Sequence, residues 1–451
     1  MNTRTRVTFL LGLQMAIAGI AGCQPVPTMP QPPAGSFAAG ELLVALNVEQ
    51  TADLPAGTGG AEDRAAEGRL REAGTTPKIS LGEGLWLVEV PAGTEEEAVK
   101  RLEGLEGVRF AELNRTLRTQ MVGGFRPLDA YRTAATVSDP KYQAPTGTTL
   151  PGQWGLAMIK APEAWDTTMG SVTVAVIDTG VDSSHEDLAG NLDMARAANF
   201  VEAGKAPHDD FGHGTHVAGI IGAIANNGVG VAGVAPQVKL MPIRVLGVDG
   251  GSTAALIQGI DHAVSKGAKV INLSLGSSQA SRSEQEAINR AISKGVTVVA
   301  AAGNEALSGN PLNYPAALSG VISVGALGRI PVNGAMLLSR AEYSCFNPYV
   351  AIAAPGSDIL STVPTQFGNA PDKGGAYAYA SGTSMAAPMI SGVAALILSR
   401  HPDWKPSQVL KALRDSASPN GLTRVAGDSG SGYDANFFGA GLSDASLAVG
   451  K

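Results

Sequence analysis

Cysteine is nearly absent: Cys23 and Cys345 are the only two in 451 residues. That scarcity excludes a disulfide scaffold and a zinc site built on thiolates. Cys345, between Ser344 and Phe346, is expected to be a buried free thiol rather than a disulfide partner of Cys23. Basic charge is also short. Lys and Arg number 33 against 40 Asp and Glu, a formal charge of −7, so no basic surface argues for nucleic acid or another polyanion. A comfortable membrane span is missing from the N-terminus. Val7 to Ile20 is uncharged and mostly apolar, but shorter than the ~20 residues a spanning helix needs. With Arg4 and Arg6 ahead of it, the run reads as the targeting segment of an exported protein. Glycine, at 57 residues, is abundant, as expected where strands and helices meet in many tight turns.

The chain divides by texture. Residues 1–22 form the signal segment and end in Ile20-Ala21-Gly22, with Cys23 next. Small residues before a cysteine resemble a bacterial lipoprotein signal, which implies lipid on Cys23 and membrane attachment; an ordinary secretory signal fits the same run. Residues 24–40 are rich in Pro and Gly and read as a tether. Residues 41–119 carry more charge. Leu42 to Leu46 is a predicted strand, Glu62 to Glu72 a charged helix, and Lys78 to Val90 two strands around Gly82-Glu83-Gly84. Glu95 to Leu105 is an amphipathic helix and Val108 to Leu113 a last strand. The order βαββαβ suits a small α+β domain with two helices on one face of a sheet. Residues 120–153 are loop-like, with Gly123-Gly124, Asp139-Pro140 and Pro145, and are expected to be a linker.

From Trp154 to the end, residues 154–451, strand and helix alternate. Val172 to Ile177, Lys239 to Val245, Val270 to Leu275, Val296 to Ala301 and Val321 to Val324 are short runs dominated by Val and Ile. They predict strands buried on both faces of a parallel sheet. Thr253 to Ser265 and Arg282 to Ser293 are predicted helices. The expected fold class is α/β, a doubly wound, mostly parallel sheet with helices on both faces, whose ligands bind beyond the carboxyl ends of the strands.

Three stretches carry chemistry. Asp178 closes the strand Val174-Ala175-Val176-Ile177; alone it could be a turn aspartate. His213 is flanked by glycines in Gly212-His213-Gly214-Thr215-His216; alone it could be structural, and no acidic or thiol partner at a familiar spacing makes it a metal ligand. Ser384 precedes the apolar run Met389 to Leu398; alone it reads as an N-cap. Together they supply what acyl transfer needs: a hydroxyl, a base to take its proton, and a carboxylate to orient that base. Asn304 follows a strand end at Ala301-Ala302-Gly303, where its amide could face developing charge without ionising. Gly228 to Gly233 satisfies a GxGxxG pattern but follows a helix, so a dinucleotide site is rejected.

Asp178-Thr179-Gly180, His213-Gly214-Thr215-His216-Val217-Ala218-Gly219 and Gly382-Thr383-Ser384-Met385-Ala386-Ala387-Pro388 resemble the three signatures of the subtilisin-like serine proteases, in the family's order Asp, His, Ser. The resemblance implies an exported serine endopeptidase acting on protein or peptide substrates without a catalytic cofactor. Ser384 would be the nucleophile, His213 the base, Asp178 its orienting group and Asn304 an oxyanion donor. Residues 41–119 resemble the inhibitory prodomain, so the chain's own N-terminal domain becomes a partner removed by self-cleavage between about Thr119 and Gln153. Ser274, Leu275 and Gly276 on one side, and Gly250, Gly251 and Ser252 on the other, match the edges that hold an extended substrate. Asn313 matches the floor of the first specificity pocket and implies apolar side chains there, with no charge demanding Lys or Arg. Asp187 and Asn227, with the carbonyls of Ala225, Val229 and Val231, match a structural calcium site that Asp139 would complete. The loop is one residue longer before Asn226 than the family's pattern. Met389 stands where the family has His, which implies altered packing. A monomer is expected. The alternative is a catalytically silent or permanently inhibited surface binding protein on the same fold.

Overall fold

The computed structural model describes residues 36–47, 59–127, 137–142, 152–332, 335–367, 376–423 and 433–450. The signal segment, Cys23 and most of the tether lie outside the described residues. The N-terminal domain is built from β1 (Phe37–Leu46), α1 (Gly59–Glu72), β2 (Thr76–Ser80), β3 (Leu85–Glu89), α2 (Glu95–Glu103) and β4 (Val108–Thr119). Its sheet has the order β2-β3-β1-β4, with every pairing antiparallel. Side chains alternate across a strand, and β1 uses both faces. Leu42 and Val44 pack with Leu70, Trp86, Ala98 and Leu102 on the side of α1 and α2. Leu43 and Ala45 face the other way, into a core shared with Ala254, Ile257, Ala287 and Ile288 of the large domain.

Two expectations fail at the edges of this domain. β4 does not stop at Leu113 but continues to Thr119. The linker is not wholly loop: β5 (Val122–Pro127) lies within it and pairs antiparallel with Tyr377–Ser381. In both cases the missing signal is the partner. Arg115-Thr116-Leu117-Arg118-Thr119 becomes a strand because the large domain offers two edges for it, and no local pattern announces that.

The large domain is the expected twisted sheet. Thr173–Asp178 lies between Val270–Leu273 and Lys239–Arg244, parallel to both; Thr297–Ala301 and Ile322–Val332 continue it on one side. Chain order reverses around Thr173–Asp178, so its carboxyl end is a topological switch point, where such sheets build sites. The strand expected over Val321 to Val324 runs on to Val332 and returns as an antiparallel hairpin with Ala335–Arg340. Beneath the sheet runs the helix Thr383–Arg400, buried from Thr383 to Leu398. Among the described residues it alone is long and apolar enough to cross a membrane, yet 89% of it is buried; it is a core helix.

The two domains meet at helix ends. The Glu112 carboxylate accepts hydrogen bonds from Ser281 Oγ (2.7 Å), Arg282 N–H (3.0 Å) and Ser283 N–H (3.1 Å), at the start of the helix Arg282–Ser293. Asn114 Oδ1 accepts from Ala254 N–H (3.1 Å) at the start of Thr253–Ser265. Both satisfy N–H groups that a helix leaves unpaired. Behind Glu112 lies Glu284, 1% exposed, whose Oε1 accepts from Thr253 Oγ1 at 3.1 Å. Burial pushes its carboxyl up to about 8; the Thr253 hydrogen bond opposes this and the Glu112 charge adds to it. The folded chain thus holds a proton that the unfolded chain, with a pKa near 4.5, releases. Stability contributed here is present at low pH and lost as pH rises through that window. The expected outcome is a melting temperature that falls between about pH 4.5 and 8 and a Glu284→Gln variant that flattens the fall; parallel pH profiles for the two proteins would contradict it.

Candidate active site

Asp178 ends its strand fully buried, and Oδ1 accepts two hydrogen bonds at 2.7 Å, from Thr179 N–H and His213 Nδ1. His213 opens the helix His213–Gly222. That helix can approach Asp178 only because position 214 is glycine: a Cβ there would sit 2.1 Å from Gly180 O. Asp209, which sequence reasoning missed, builds the turn before His213. Its carboxylate accepts from Thr179 Oγ1, Phe211 N–H, Gly212 N–H, and both N–H and Oγ1 of Thr215. Full burial pushes its carboxyl up, and these donors pull against that. The only hint was the pair Asp209-Asp210 ahead of Phe211-Gly212-His213.

Ser384 lies in the first turn of its helix, fully buried. Its Oγ donates to Ser274 O (3.0 Å), while His213 Nε2 is buried with no hydrogen-bond partner among the described residues. The triad is therefore assembled at its Asp–His end, with the hydroxyl turned aside. Asn304 Oδ1 accepts from Thr383 N–H (2.9 Å) and Thr383 Oγ1 (3.0 Å). That fixes the amide, and its Nδ2 is buried without a partner among the described residues. A buried unpaired donor is rare and calls for an acceptor.

The acceptor side is filled by the chain itself. β4 pairs antiparallel with both expected edges: Leu117 opposite Gly251 and Thr116 opposite Ser252 on one side, Thr119 opposite Leu275 and Arg118 opposite Gly276 on the other. Gln120 N–H then donates to Ser274 O (3.1 Å), and Gln120 O accepts from Ser384 N–H (2.9 Å). Gly382 permits the approach, since a Cβ there would lie 2.4 Å from Gln120 O. The Gln120–Met121 bond thus crosses the site in the place of a substrate.

The Gln120 side chain enters the pocket floored by Asn313, its Nε2 donating to Asn313 Oδ1 at 3.4 Å. This pocket is not the uncharged one expected from Asn313 alone. The Glu305 carboxylate accepts from Asn313 Nδ2 (3.1 Å) and Asn304 N–H (2.9 Å), and it pairs with Arg118. Glu305 was missed although it is adjacent to Asn304. Cys345 lies behind the floor, 3.5 Å from Asn313 Nδ2; it is buried and free, with its thiol pushed up to about 12 by burial. Met389, in place of the family's His, is fully buried, and a Cβ on Gly155 would lie 2.8 Å from its methyl.

The expected calcium residues converge only in part. Asp187 accepts from Asn227 Nδ2 (2.8 Å) and Val231 N–H (2.8 Å); Asp139 accepts from Asn226 N–H (2.7 Å) and Asn227 N–H (3.1 Å). The Asn227 amide oxygen accepts from Val229 N–H (2.8 Å). Among the described residues no group of three or more His, Cys, Asp or Glu is arranged to hold a metal, so the set rests on two carboxylates with amide and carbonyl oxygens. Its chemistry still fits a hard cation. Both carboxylates are buried, burial pushes Asp187 up to about 7 and Asp139 upward, and the Asp139 charge raises Asp187 further. Such a pair lacks a positive partner.

A buried carboxylate–imidazole pair, a helix-start serine and two oxyanion donors on a doubly wound sheet define a serine hydrolase of the triad type. Comparison narrows the class. The Subtilase family model matches residues 170–441. Subtilisin BL of Lederbergia lenta is 38% identical over 299 residues, 66% of this chain and 98% of that protein. Thermitase of Thermoactinomyces vulgaris is 42% identical over 251 residues, 55% of this chain and 82% of that protein. The crystal structure of fervidolysin from Fervidobacterium pennivorans, described as a keratinolytic enzyme related to subtilisin, superposes with a TM-score of 0.69 at 27% identity. That match covers 95% of this chain, which spans 65% of the fervidolysin chain. The chain belongs to the subtilase family and is a serine-type endopeptidase.

Removing the unpaired donor should cost rate rather than binding. Asn304→Ala is expected to lower kcat on the order of 10²–10³-fold, a size known from subtilisin itself rather than derived from this geometry, with KM little changed. Steady-state kinetics on a peptide p-nitroanilide checks it, and an unchanged kcat would remove Asn304 from the site.

Proposed function

We propose that the enzyme cuts protein chains through an acyl-enzyme on Ser384 and that its first substrate is its own Gln120–Met121 bond. The observation that carries this reading is the Gln120 carbonyl on the Ser384 N–H, with Gln120 N–H on Ser274 O. For attack, Ser384 Oγ leaves Ser274 O and gives its proton to His213 Nε2 as it bonds to the carbonyl carbon. Asp178 stabilises the imidazolium through Nδ1. The oxyanion is held by Ser384 N–H and Asn304 Nδ2, which act without reorganisation in a site closed to water. His213 then protonates the leaving Met121 amine, and water releases Gln120 by the reverse steps. Asp178, His213, Ser384 and Asn304 are the catalytic residues. Gly250, Gly251, Ser252, Ser274, Leu275, Gly276 and Asn313 bind substrate on the acyl side. Residues 41–119 act as prodomain and inhibitor, because a released β4 still matches both edges of the cleft.

Wild type should hydrolyse casein and take up a fluorophosphonate, and Ser384→Ala should do neither. If neither protein reacts, the silent or permanently inhibited binding protein replaces this reading.

Calcium belongs to the same proposal. Asp187, Asn227 and Asp139, with the carbonyls of Ala225, Val229 and Val231, would hold it, and it would neutralise the two buried carboxylates. EDTA should then lower the melting temperature and added calcium restore it, with no such response in Asp187→Asn. An EDTA-insensitive wild type would sink the site. We also infer export, with Cys23 as the lipid-bearing residue; Cys23→Ser should move the protein from the membrane to the soluble fraction, and unchanged fractionation would refute the anchor.

A further inference from the structure

The leaving-group side of the cleft is also occupied. β5 follows directly on Met121 and pairs with Tyr377–Ser381, Val122 opposite Ser381 and Arg126 opposite Tyr379, with an irregularity between them. Val122, Gly123 and Gly124 are exposed, whereas Phe125 is only 7% exposed. Gly123 has φ +67°, a conformation that suits glycine, and the irregularity turns Phe125 inward. The Phe125 ring lies 5.5 Å from the His216 ring, tilted by 40°. A Cβ on Gly212 would lie 3.0 Å from the rings of both Phe125 and Phe367 and 3.2 Å from Pro364. The pocket is thus walled by Gly212, His216, Pro364 and Phe367, and it is built on the helix that carries His213.

His216 is suited to such a wall. Nε2 lies 3.1 Å from both Ile359 O and Ala378 O; carbonyls only accept, so this nitrogen carries the proton. Burial drives the ring down to about 3, with the neighbouring His213 pushing the same way. The imidazole is therefore neutral at working pH and presents an uncharged aromatic face.

Cutting Gln120–Met121 separates β4 from β5 but breaks none of these contacts. β5 remains covalently part of the large domain, and a tethered ligand competes at the millimolar effective concentrations of short linkers. We propose that the cleft carries an aromatic-binding subsite on its leaving-group side, five residues beyond the cut bond, and that Phe125 holds it as a tethered occupant after processing. The inference rests on the reading that Ser384 cuts Gln120–Met121. A peptide substrate long enough to reach the subsite must displace β5, while a substrate ending in a small leaving group need not. The preferred long substrate carries an aromatic side chain at its fifth position after the cut.

The test compares processed wild type with Phe125→Ala on two substrates sharing one acyl part. One is a p-nitroanilide. The other is a quenched fluorescent peptide with six residues after the cut and Phe at the fifth. Phe125→Ala is expected to raise kcat/KM on the long peptide roughly tenfold, as loss of a tethered competitor allows, and to leave the p-nitroanilide within about twofold. Replacing the fifth Phe of the peptide by Ala should remove most of that gain. A second measurement avoids dependence on the variant's folding: wild type is trimmed with an aminopeptidase, and intact mass is followed beside activity. Activity on the long peptide should rise as Phe125 is lost. The proposal is overturned if Phe125→Ala changes neither substrate or both alike, if trimming past Phe125 leaves the ratio of activities unchanged, or if the processed chain begins beyond Phe125. A wild type inert on both substrates would instead bring down the protease reading on which it rests.

Discussion

The structure depends on one antiparallel ladder. β4 enters a slot whose two walls, Gly250–Ser252 and Leu275–Gly276, belong to the large domain, and pairing with both sets the register of everything after it. A one-residue slip would turn Leu117, now fully buried, to the opposite face. The same slip would take the Gln120 carbonyl off the Ser384 N–H. Backbone pairing therefore does the positioning, and side chains supply the register. The energetic logic is that of added-strand recognition: main-chain bonds hold the strand, and pockets at alternate positions choose it.

Charge is arranged around that ladder in two ways. On the domain interface, Glu112 and Asn114 end two helices of the other domain, so the N-terminal domain completes hydrogen bonds that those helices lack on their own. Inside the large domain, Asp178 and Asp209 are buried but differ in their partners. Asp209 is ringed by five donors and shapes the turn, while Asp178 keeps Oδ2 without a partner among the described residues and spends Oδ1 on Thr179 and His213. One carboxylate is structural by saturation; the other keeps capacity facing the imidazole.

The sheet was legible because its strands are buried on both faces and read as plain Val and Ile runs. The triad was legible because glycines and small residues crowd around Asp178, His213 and Ser384 wherever backbones must touch, as at Gly214 and Gly382. What stayed hidden depended on partners far away in the chain. Arg115 to Thr119 and Val122 to Pro127 have no strand pattern of their own and become strands only against edges more than 130 and 250 residues further on. Glu305 and Asp209 look like ordinary acidic residues until the fold brings Arg118 to one and the Gly212 to Thr215 turn to the other. The calcium residues were readable as a set, but the direction of the Asn227 amide was not, because it follows from which neighbours donate to Asp187.

The central claim is that the bond lying across the site is the bond the enzyme cuts. Intact mass and N-terminal sequencing of the protein purified beside Ser384→Ala test it most directly. The account predicts a mature wild-type chain beginning at Met121 and an uncut variant. A wild-type N-terminus elsewhere, or a variant processed at the same bond, would contradict it.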